Sequence, residues 1–223
     1  MMKQSVVAMA MLAASAGVLA QSSPAPAPSP FDPVPVVNEP DGNWLVRLRA
    51  VRLDSANKDG TGSNLSINDK WLPEADISYF FTPNWAAELV LTYPQKHSMY
   101  SAGAKIGSLK ELPPTLMVQY HFTDLGNLTP WLTDVKPYLG LGLNYTRFSS
   151  VNIQAGDTPV DVKRSSWGPA LQAGVDYAVT KSVYLNVDVK KVWIKTDVKA
   201  SGSDLGSFKV DPVLLGVGVG YRF

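Results

Sequence analysis

The chain has 223 residues, with 20 Lys and Arg against 19 Asp and Glu and with no cysteine. The near-zero net charge argues against a nucleic-acid partner, and the lack of cysteine excludes a disulfide framework and thiol chemistry. After the N-terminal segment, no stretch supplies the ~18 uncharged apolar residues that a membrane-spanning helix needs.

Residues 1–20 have the features of a secretory signal peptide. Lys3 precedes a small-residue apolar run from Val6 to Leu19, and Ala20 provides a small residue for cleavage. The run is too short to span a bilayer as a helix. We therefore predict a cleaved signal peptide and export of the chain.

Residues 21–41 are rich in proline, mixed with Ala, Ser and Val. This composition favours an extended conformation and cannot form a packed core. We predict a periplasmic linker, with a docking tail for a periplasmic partner as the alternative.

From residue 42 onward the chain alternates between apolar and polar residues, with the period of two that is typical of β-strands. The predicted strands are 43–53, 71–81, 85–93, 112–122, 136–148, 167–179, 183–194 and 213–223. Short turns at 82–84 and 180–181 contrast with long polar connections, which are 54–70, 94–110, 149–166 and 196–206. The pattern predicts that residues 42–223 form an all-β fold, an eight-stranded antiparallel up-and-down transmembrane barrel of the outer membrane. It would have short periplasmic turns, four long extracellular loops and both termini in the periplasm.

The uniformly apolar face of these strands is predicted to contact lipid, because the other face carries charges that would each cost ~2–4 kcal/mol near the bilayer midplane. Pointed inward, the charged residues would form a plug in the lumen, made of Arg47, Arg49, Asp76, Glu88, Asp176, Asp188 and Arg222. Above it lies a predicted apolar upper lumen, made of Leu53, Leu72, Val90, Phe148, Val192 and Leu214. These apolar residues are either core packing beneath the loops or a pocket for a hydrophobic ligand.

Six prolines are expected near the outer ends of the strands: Pro73, Pro94, Pro113, Pro114, Pro169 and Pro212. Each removes a hydrogen-bond donor from the sheet. They either terminate strands or weaken pairing at the rim, so that a hydrophobic solute could leave sideways into the bilayer.

The histidines offer little chemistry. His97 is expected in an outer loop beside Ser98 with no acid placed near it, and His121 is expected to point inward near the periplasmic turns. No metal-ligand spacing or catalytic triad is present. We therefore predict no enzymatic activity, no cofactor and no metal.

Several segments resemble the OmpW family of small outer-membrane proteins, in order and at plausible spacing. They are residues 87–89 (AEL), 94–97 (PQKH), 112–116 (LPPTL), 136–140 (KPYLG), 144–146 (NYT), 166–168 (SWG), 174–177 (GVDY), 211–212 (DP) and 220–223 (GYRF). The resemblance implies an eight-stranded barrel that passes small hydrophobic molecules across the outer membrane, as the similar alkane-uptake proteins do. By resemblance to outer-membrane proteins, Tyr221 and Phe223 would be the assembly signal. The Pro-rich leader departs from the family pattern, so no function is carried onto it.

Two functions remain open from the sequence. The first is a passive conduit or binding protein for small hydrophobic solutes. The second is a structural, adhesive or receptor barrel that acts through outer-loop residues such as Met99, Tyr100 and Ile153. The expected partners are membrane lipid or lipopolysaccharide, hydrophobic solutes and the outer-membrane assembly machinery.

Overall fold

The computed structural model describes residues 42–155, 158–200 and 203–223. The expected signal peptide (1–20) and linker (21–41) lie outside the described residues. Within the described ranges the chain forms fifteen β-strands and two short 3-10 helices. In chain order the strands are β1 (Trp44–Asp54), β2 (Lys58–Asp59), β3 (Leu65–Ile67), β4 (Lys70–Phe80), β5 (Trp85–Thr92), β6 (Gln95–Ser101), β7 (Ala104–Leu112), β8 (Thr115–His121), β9 (Val135–Ala155), β10 (Thr158–Val162), β11 (Ser165–Ala178), β12 (Val183–Val192), β13 (Lys195–Ala200), β14 (Ser203–Lys209) and β15 (Val213–Arg222). The 3-10 helices Asp124–Asn127 and Pro130–Leu132 lie in the connection between β8 and β9.

Eight of these strands close into an antiparallel barrel, as the sequence predicted. The ring runs through β1, β4, β5, β8, β9, β11, β12 and β15. It closes where β15 pairs with β1, from Leu45 opposite Arg222 to Asp54 opposite Val213. The short turns and Phe223 lie at one end of the barrel, the turn end, and the long connections lie at the other, the extended end.

The outer surface of the barrel is an apolar band. On β15 the side chains from Val213 to Phe223 alternate, and Val217 and Val219 are exposed while Gly216 and Gly220 are buried. Ten residue steps of about 3.4 Å at a tilt of about 40° span roughly 26 Å, which matches the apolar band of ~25 Å on membrane barrels.

Aromatic side chains border this band at both ends. At the turn end, neighbouring rings lie 4.8 Å apart in the Trp44–Tyr79 pair and 5.0 Å apart in the Trp85–Tyr120 pair. Near the extended end, the ring of Tyr145 lies 4.7 Å from that of Trp167. Such paired girdles are typical of membrane barrels, because amphipathic rings favour the headgroup level.

The four long connections are largely strands rather than the polar, irregular loops expected from their composition. They contain β2 and β3, β6 and β7, the end of β9 with β10, and β13 with β14. Their inward side chains form a continuous apolar cluster, the extended-end core, together with neighbouring side chains of the barrel strands. Its buried residues are Leu65, Ile67, Met99, Leu109, Met117, Phe148, Ile153, Val160, Val162, Ala170, Val192, Ile194, Val198, Phe208 and Val210.

This core corrects the expectation that Met99 and Ile153 make surface contacts. Met99 is fully buried and Ile153 is nearly so, and Tyr100 is half-buried. The long connections carry enough alternating apolar residues to pack against each other, and this burial keeps Met99 and Ile153 from making surface contacts.

Candidate functional site: the barrel lumen

A network of buried ion pairs crosses the barrel lumen. Arg47 is fully buried at its centre. Its Nε and Nη2 atoms donate to the two carboxylate oxygens of Asp176 at 3.2 and 2.7 Å, and its Nη1 donates to Asp76 at 3.0 Å. Nη1 also lies 3.4 Å from Glu88. Because a buried charge is costly without a partner, removing any one of these groups would destabilise the others.

Arg49 extends the network towards the extended end. Its Nη2 lies 2.7 Å from Asp76, 3.0 Å from Glu74 and 3.3 Å from Glu88. Its Nη1 lies 3.1 Å from Asp188. One guanidinium therefore joins carboxylates from three strands, which ties β4, β5 and β12 to β1 across the lumen.

The lack of a side chain at Gly218 lets β15 approach β1 closely and leaves room for Arg49. A Cβ on Gly218 would lie 2.2 Å from the carbonyl oxygen of Leu48 and 2.7 Å from Cγ of Arg49. Because the first of these atoms is backbone, a side chain at position 218 would force the two strands apart.

Six of the seven residues predicted to form the plug belong to this network. The ionic network consists of Arg47, Arg49, Glu74, Asp76, Glu88, Asp176, Asp188 and Lys190. Lys190, whose Nζ lies 3.2 Å from Glu74, was not predicted to take part and neither was Glu74. Arg222 also points inward but lies at the turn end, where its Cζ is 3.8 Å from the ring centroid of Phe80 and its Nε donates to the carbonyl of Gly42 at 3.0 Å.

Amide side chains fill the lumen beside the network. Nε2 of Gln119 donates to Gln172 at 2.9 Å, and Nε2 of Gln172 donates to Asp188 at 2.8 Å. His121 points inward as predicted, with its Nε2 3.1 Å from Oε1 of Gln119. These bonds satisfy groups that would otherwise be buried without partners.

A buried, mainly aromatic layer lies at the turn end of the lumen and was not predicted from the sequence. Tyr138, Tyr184, Phe80 and Leu45 are buried inside the barrel below the network. The ring of His121 lies 4.8 Å from those of Phe80 and Tyr138. Each of the four lies in the inward phase of its strand, so extending the alternation by one step would have identified it.

The predicted apolar upper-lumen residues all lie on the inner side of the barrel, but they divide among three places. Leu53 and Leu72 pack together with Val51. Phe148 and Val192 belong to the extended-end core. Leu214 is only half-buried and packs against both clusters. Val90 is buried lower in the barrel, opposite Asp76.

A small cavity of about 30 Å³ lies between these apolar residues and the ionic network. Its apolar wall includes Leu53, Leu72 and Leu214, and its polar wall includes Glu74 and Lys190. This volume accommodates about two water molecules. The lumen of the described barrel is therefore filled with side chains, as expected for eight strands, and a larger solute can enter only if side chains move.

His97 does not lie in a loop, which corrects its expected position. It is fully buried on β6, and its Nε2 lies 3.0 Å from Oε1 of the buried Glu111. The next residue, Ser98, has its side chain on the opposite face of β6. Its backbone N–H donates to Oδ1 of Asn68. Within the described ranges, no group of three or more His, Asp or Glu side chains could hold a metal ion.

Near the extended end, the backbone pairing that joins β3 and β4 to β5 and β6 is interrupted. The β4–β5 ladder runs as far as Glu74 opposite Thr92. Pairing resumes only between β3 and β6, with Ile67 opposite Met99. Between these two points the described residues form no ladder pair, and we call this stretch the β4–β6 seam.

Two of the six prolines lie in the β4–β6 seam. Pro73 and Pro94 have no N–H to donate across it. Two side chains bridge the strands instead. Nζ of Lys70 donates to the carbonyl of Lys96 at 3.1 Å, and Oδ1 of Asn68 accepts from the backbone N–H of Ser98 at 2.8 Å. The seam is therefore held by fewer backbone hydrogen bonds than the rest of the barrel wall.

The closed barrel, its apolar outer band and its filled polar lumen define a small outer-membrane β-barrel protein. None of the helices in the described ranges is long and apolar enough to cross a membrane. The family model "OmpW family" matches residues 43–223. The chain belongs to the OmpW family, as the resemblance predicted.

Similarity to individual proteins supports the family assignment. An uncharacterized outer-membrane protein, y4mB of Sinorhizobium fredii (strain NBRC 101917 / NGR234), is 44% identical over 190 residues, which cover 81% of this chain and 80% of that protein. The dibenzothiophene metabolism operon protein DoxH of Pseudomonas sp. (strain C18) is 26% identical over 191 residues, 82% of each chain. The crystal structure of OprG, an outer-membrane protein from Pseudomonas aeruginosa, has a TM-score of 0.69 and 25% identity, and it covers 83% of this chain and 98% of that chain.

Proposed function

We propose that this barrel binds small hydrophobic molecules at its extended end and passes them across the outer membrane without catalysis. The observation that carries the proposal is the layering of the lumen. An apolar wall made of Leu53, Leu72 and Leu214 lies directly on a sealed ionic network. Hydrophobic walls with a few polar groups are typical of small-molecule sites.

Leu214 is the residue that would have to move. It packs against both apolar clusters and is only half-buried, so its displacement would join the small cavity to the extended-end core. The ionic network below blocks a straight path to the turn end. The name of DoxH links that relative to the metabolism of dibenzothiophene, a hydrophobic aromatic compound.

We expect Leu214→Asp to reduce the uptake of dibenzothiophene several-fold, because a carboxylate in the apolar wall disfavours a hydrophobic solute. Leu214 lies opposite Lys190 in the β12–β15 ladder, so the new carboxylate has a nearby cation and the barrel should still fold. The measurement is uptake by cells whose outer membrane carries the wild-type protein, the variant or neither. Leu214→Met, which preserves the apolar wall, is the control and should transport like the wild type. Equal uptake with and without the wild-type protein would refute the conduit.

We also propose that the solute leaves sideways through the β4–β6 seam. The missing donors of Pro73 and Pro94 and the ionic network below both favour this exit. The double variant Pro73→Ala/Pro94→Ala gives both positions a backbone N–H and is expected to lower uptake in the same assay. Pro159→Ala, at a proline of another connection, is the control. Unchanged uptake in the double variant would leave the conduit in place but exclude this exit.

For assembly, we propose that Tyr221 and Phe223 form the signal read by the outer-membrane assembly machinery, with the turn end in the periplasm. Both side chains point outward and are about half exposed, and their rings lie 6.1 Å apart. They are therefore accessible to a partner before the barrel enters the membrane.

A further inference from the structure

Three cations form a row on the outer surface at the extended end. Lys96 on β6, Lys110 on β7 and Arg147 on β9 are all exposed. Lys96 lies directly opposite Lys110. Arg147 lies opposite Leu112, which places it diagonally next to Lys110 on the same face. Like charges opposite each other on neighbouring strands are destabilising.

Among the described residues, no carboxylate lies within ion-pair distance of this first row. On the neighbouring strands, the residues opposite Lys110 and Arg147 are Lys96, Ser149, Leu112 and Ser165. Among the described residues no ion pair within 4 Å involves the three cations.

Other basic residues at the extended end do form ion pairs with carboxylates. Arg52 pairs with Asp54 at 2.9 Å, Arg164 with Asp161 at 3.0 Å, and Lys163 lies 3.8 Å from Asp197. The surface therefore neutralises some of its cations internally and leaves this row uncompensated.

A second row of the same kind lies on other strands of the extended end. Lys209 on β14 is opposite Lys195 on β13 and also opposite Lys58 on β2. All three side chains are exposed. Within the described ranges none of them is within ion-pair distance of a carboxylate.

Both rows lie just beyond outward-facing aromatic side chains near the extended end. Arg147 follows Tyr145 by two residues, and Lys195 follows Trp193 by two residues. Two residues on one face of a strand correspond to about 7 Å. The cations therefore lie where the apolar band ends, at the level of lipid headgroups.

We propose that each row binds the phosphates of one lipopolysaccharide molecule through its lipid A headgroup. Neighbouring strands are about 4.8 Å apart, so three cations cover roughly 10 Å of surface. A headgroup with more than one phosphate fits such a row better than a phospholipid with a single phosphate. Lys and Arg form strong charge-assisted hydrogen bonds to phosphate, and the acyl chains of the same molecule would lie on the apolar band below.

The test counts bound lipids. The purified protein is placed in phosphatidylcholine nanodiscs that contain bisphosphorylated lipid A, and native mass spectrometry measures the lipid A molecules that remain bound. We expect two per wild-type protein, one for K96Q/K110Q/R147Q, one for K58Q/K195Q/K209Q and none for the combined variant. The control K105Q/K199Q removes exposed lysines nearer the hairpin tips and should keep both lipids.

Two further arms use the wild-type protein, so the test does not depend on how the variants fold. Dephosphorylated lipid A is expected not to be retained, and phosphatidylglycerol, with its single phosphate, should be retained far less than lipid A. Equal retention of dephosphorylated lipid A would overturn the proposal. Equal retention of phosphatidylglycerol would overturn the assignment to lipopolysaccharide. If the combined variant folded and still bound two lipid A molecules, the assignment to these rows would be overturned.

Discussion

Replacing Arg47 with methionine is expected to lower the free energy of unfolding by about 3–5 kcal/mol, because removing one partner of a buried ion pair leaves the other uncompensated. Asp176 would be affected most. Its two oxygens accept from Nε and Nη2 of Arg47, whereas Asp76 keeps Arg49 at 2.7 Å. The measurement is urea unfolding of the barrel in lipid vesicles, followed by tryptophan fluorescence.

A double-mutant cycle separates the lost ion pair from lost packing. Asp176→Asn in the methionine variant removes the uncompensated charge, so the double variant should regain part of the lost stability. Arg52→Met is the matched control, because Arg52 pairs with Asp54 at the exposed rim and should contribute at most about 1 kcal/mol. If the Arg47 variant were as stable as the Arg52 variant, the ionic network would not hold the strands together.

Arg47→Lys extends the same test. The guanidinium reaches Asp176 with two nitrogens and Asp76 with a third. A lysine ammonium is a point charge and cannot reproduce this fork. We expect the free energy of unfolding of Arg47→Lys to lie between those of the wild type and Arg47→Met, because lysine keeps the positive charge but loses the forked hydrogen-bond geometry.

The barrel itself could be predicted from sequence because two simple signals agree. Each strand alternates with period two, and the charges in the inward phase fix which face meets lipid. This reasoning placed Arg47, Arg49, Asp76 and Asp188 together in the lumen although they come from three distant segments. It could not give the pairing partners, because these depend on the register and the strand tilt, which periodicity does not fix.

The extended end could not be predicted for a different reason. Its hairpins have a polar outer face and many Ser and Gly residues, so their composition is that of loops. The apolar inner face of these hairpins can be recognised only when the pairing of their strands is known. His97 shows the difference most clearly, because its acid partner Glu111 is 14 residues further along the chain and meets it only through the β6–β7 pairing.

Phe223 allows the assembly signal to be separated from barrel closure. Phe223 and Trp44 exchange two backbone hydrogen bonds, from Phe223 N–H to Trp44 O at 2.9 Å and from Trp44 N–H to Phe223 O at 3.0 Å. Deleting Phe223 removes these bonds and the ring together, whereas Phe223→Ala removes the ring alone. If the ring is the signal, both changes should reduce the assembled fraction in the outer membrane several-fold.

The matched control is Phe81→Ala. Phe81 is also an exposed ring in the girdle at the turn end, but it lies at a turn in the interior of the chain. Its loss should leave assembly close to normal, because a girdle ring contributes only contact with the membrane interface. The measurement is the amount of each variant that resists extraction from isolated outer membranes. Normal assembly of Phe223→Ala together with failure of the deletion would assign the role to the backbone pair with Trp44. Since Phe223 closes the last strand onto the first, that outcome would make strand pairing, rather than recognition of an aromatic ring, the step that commits the barrel to the membrane.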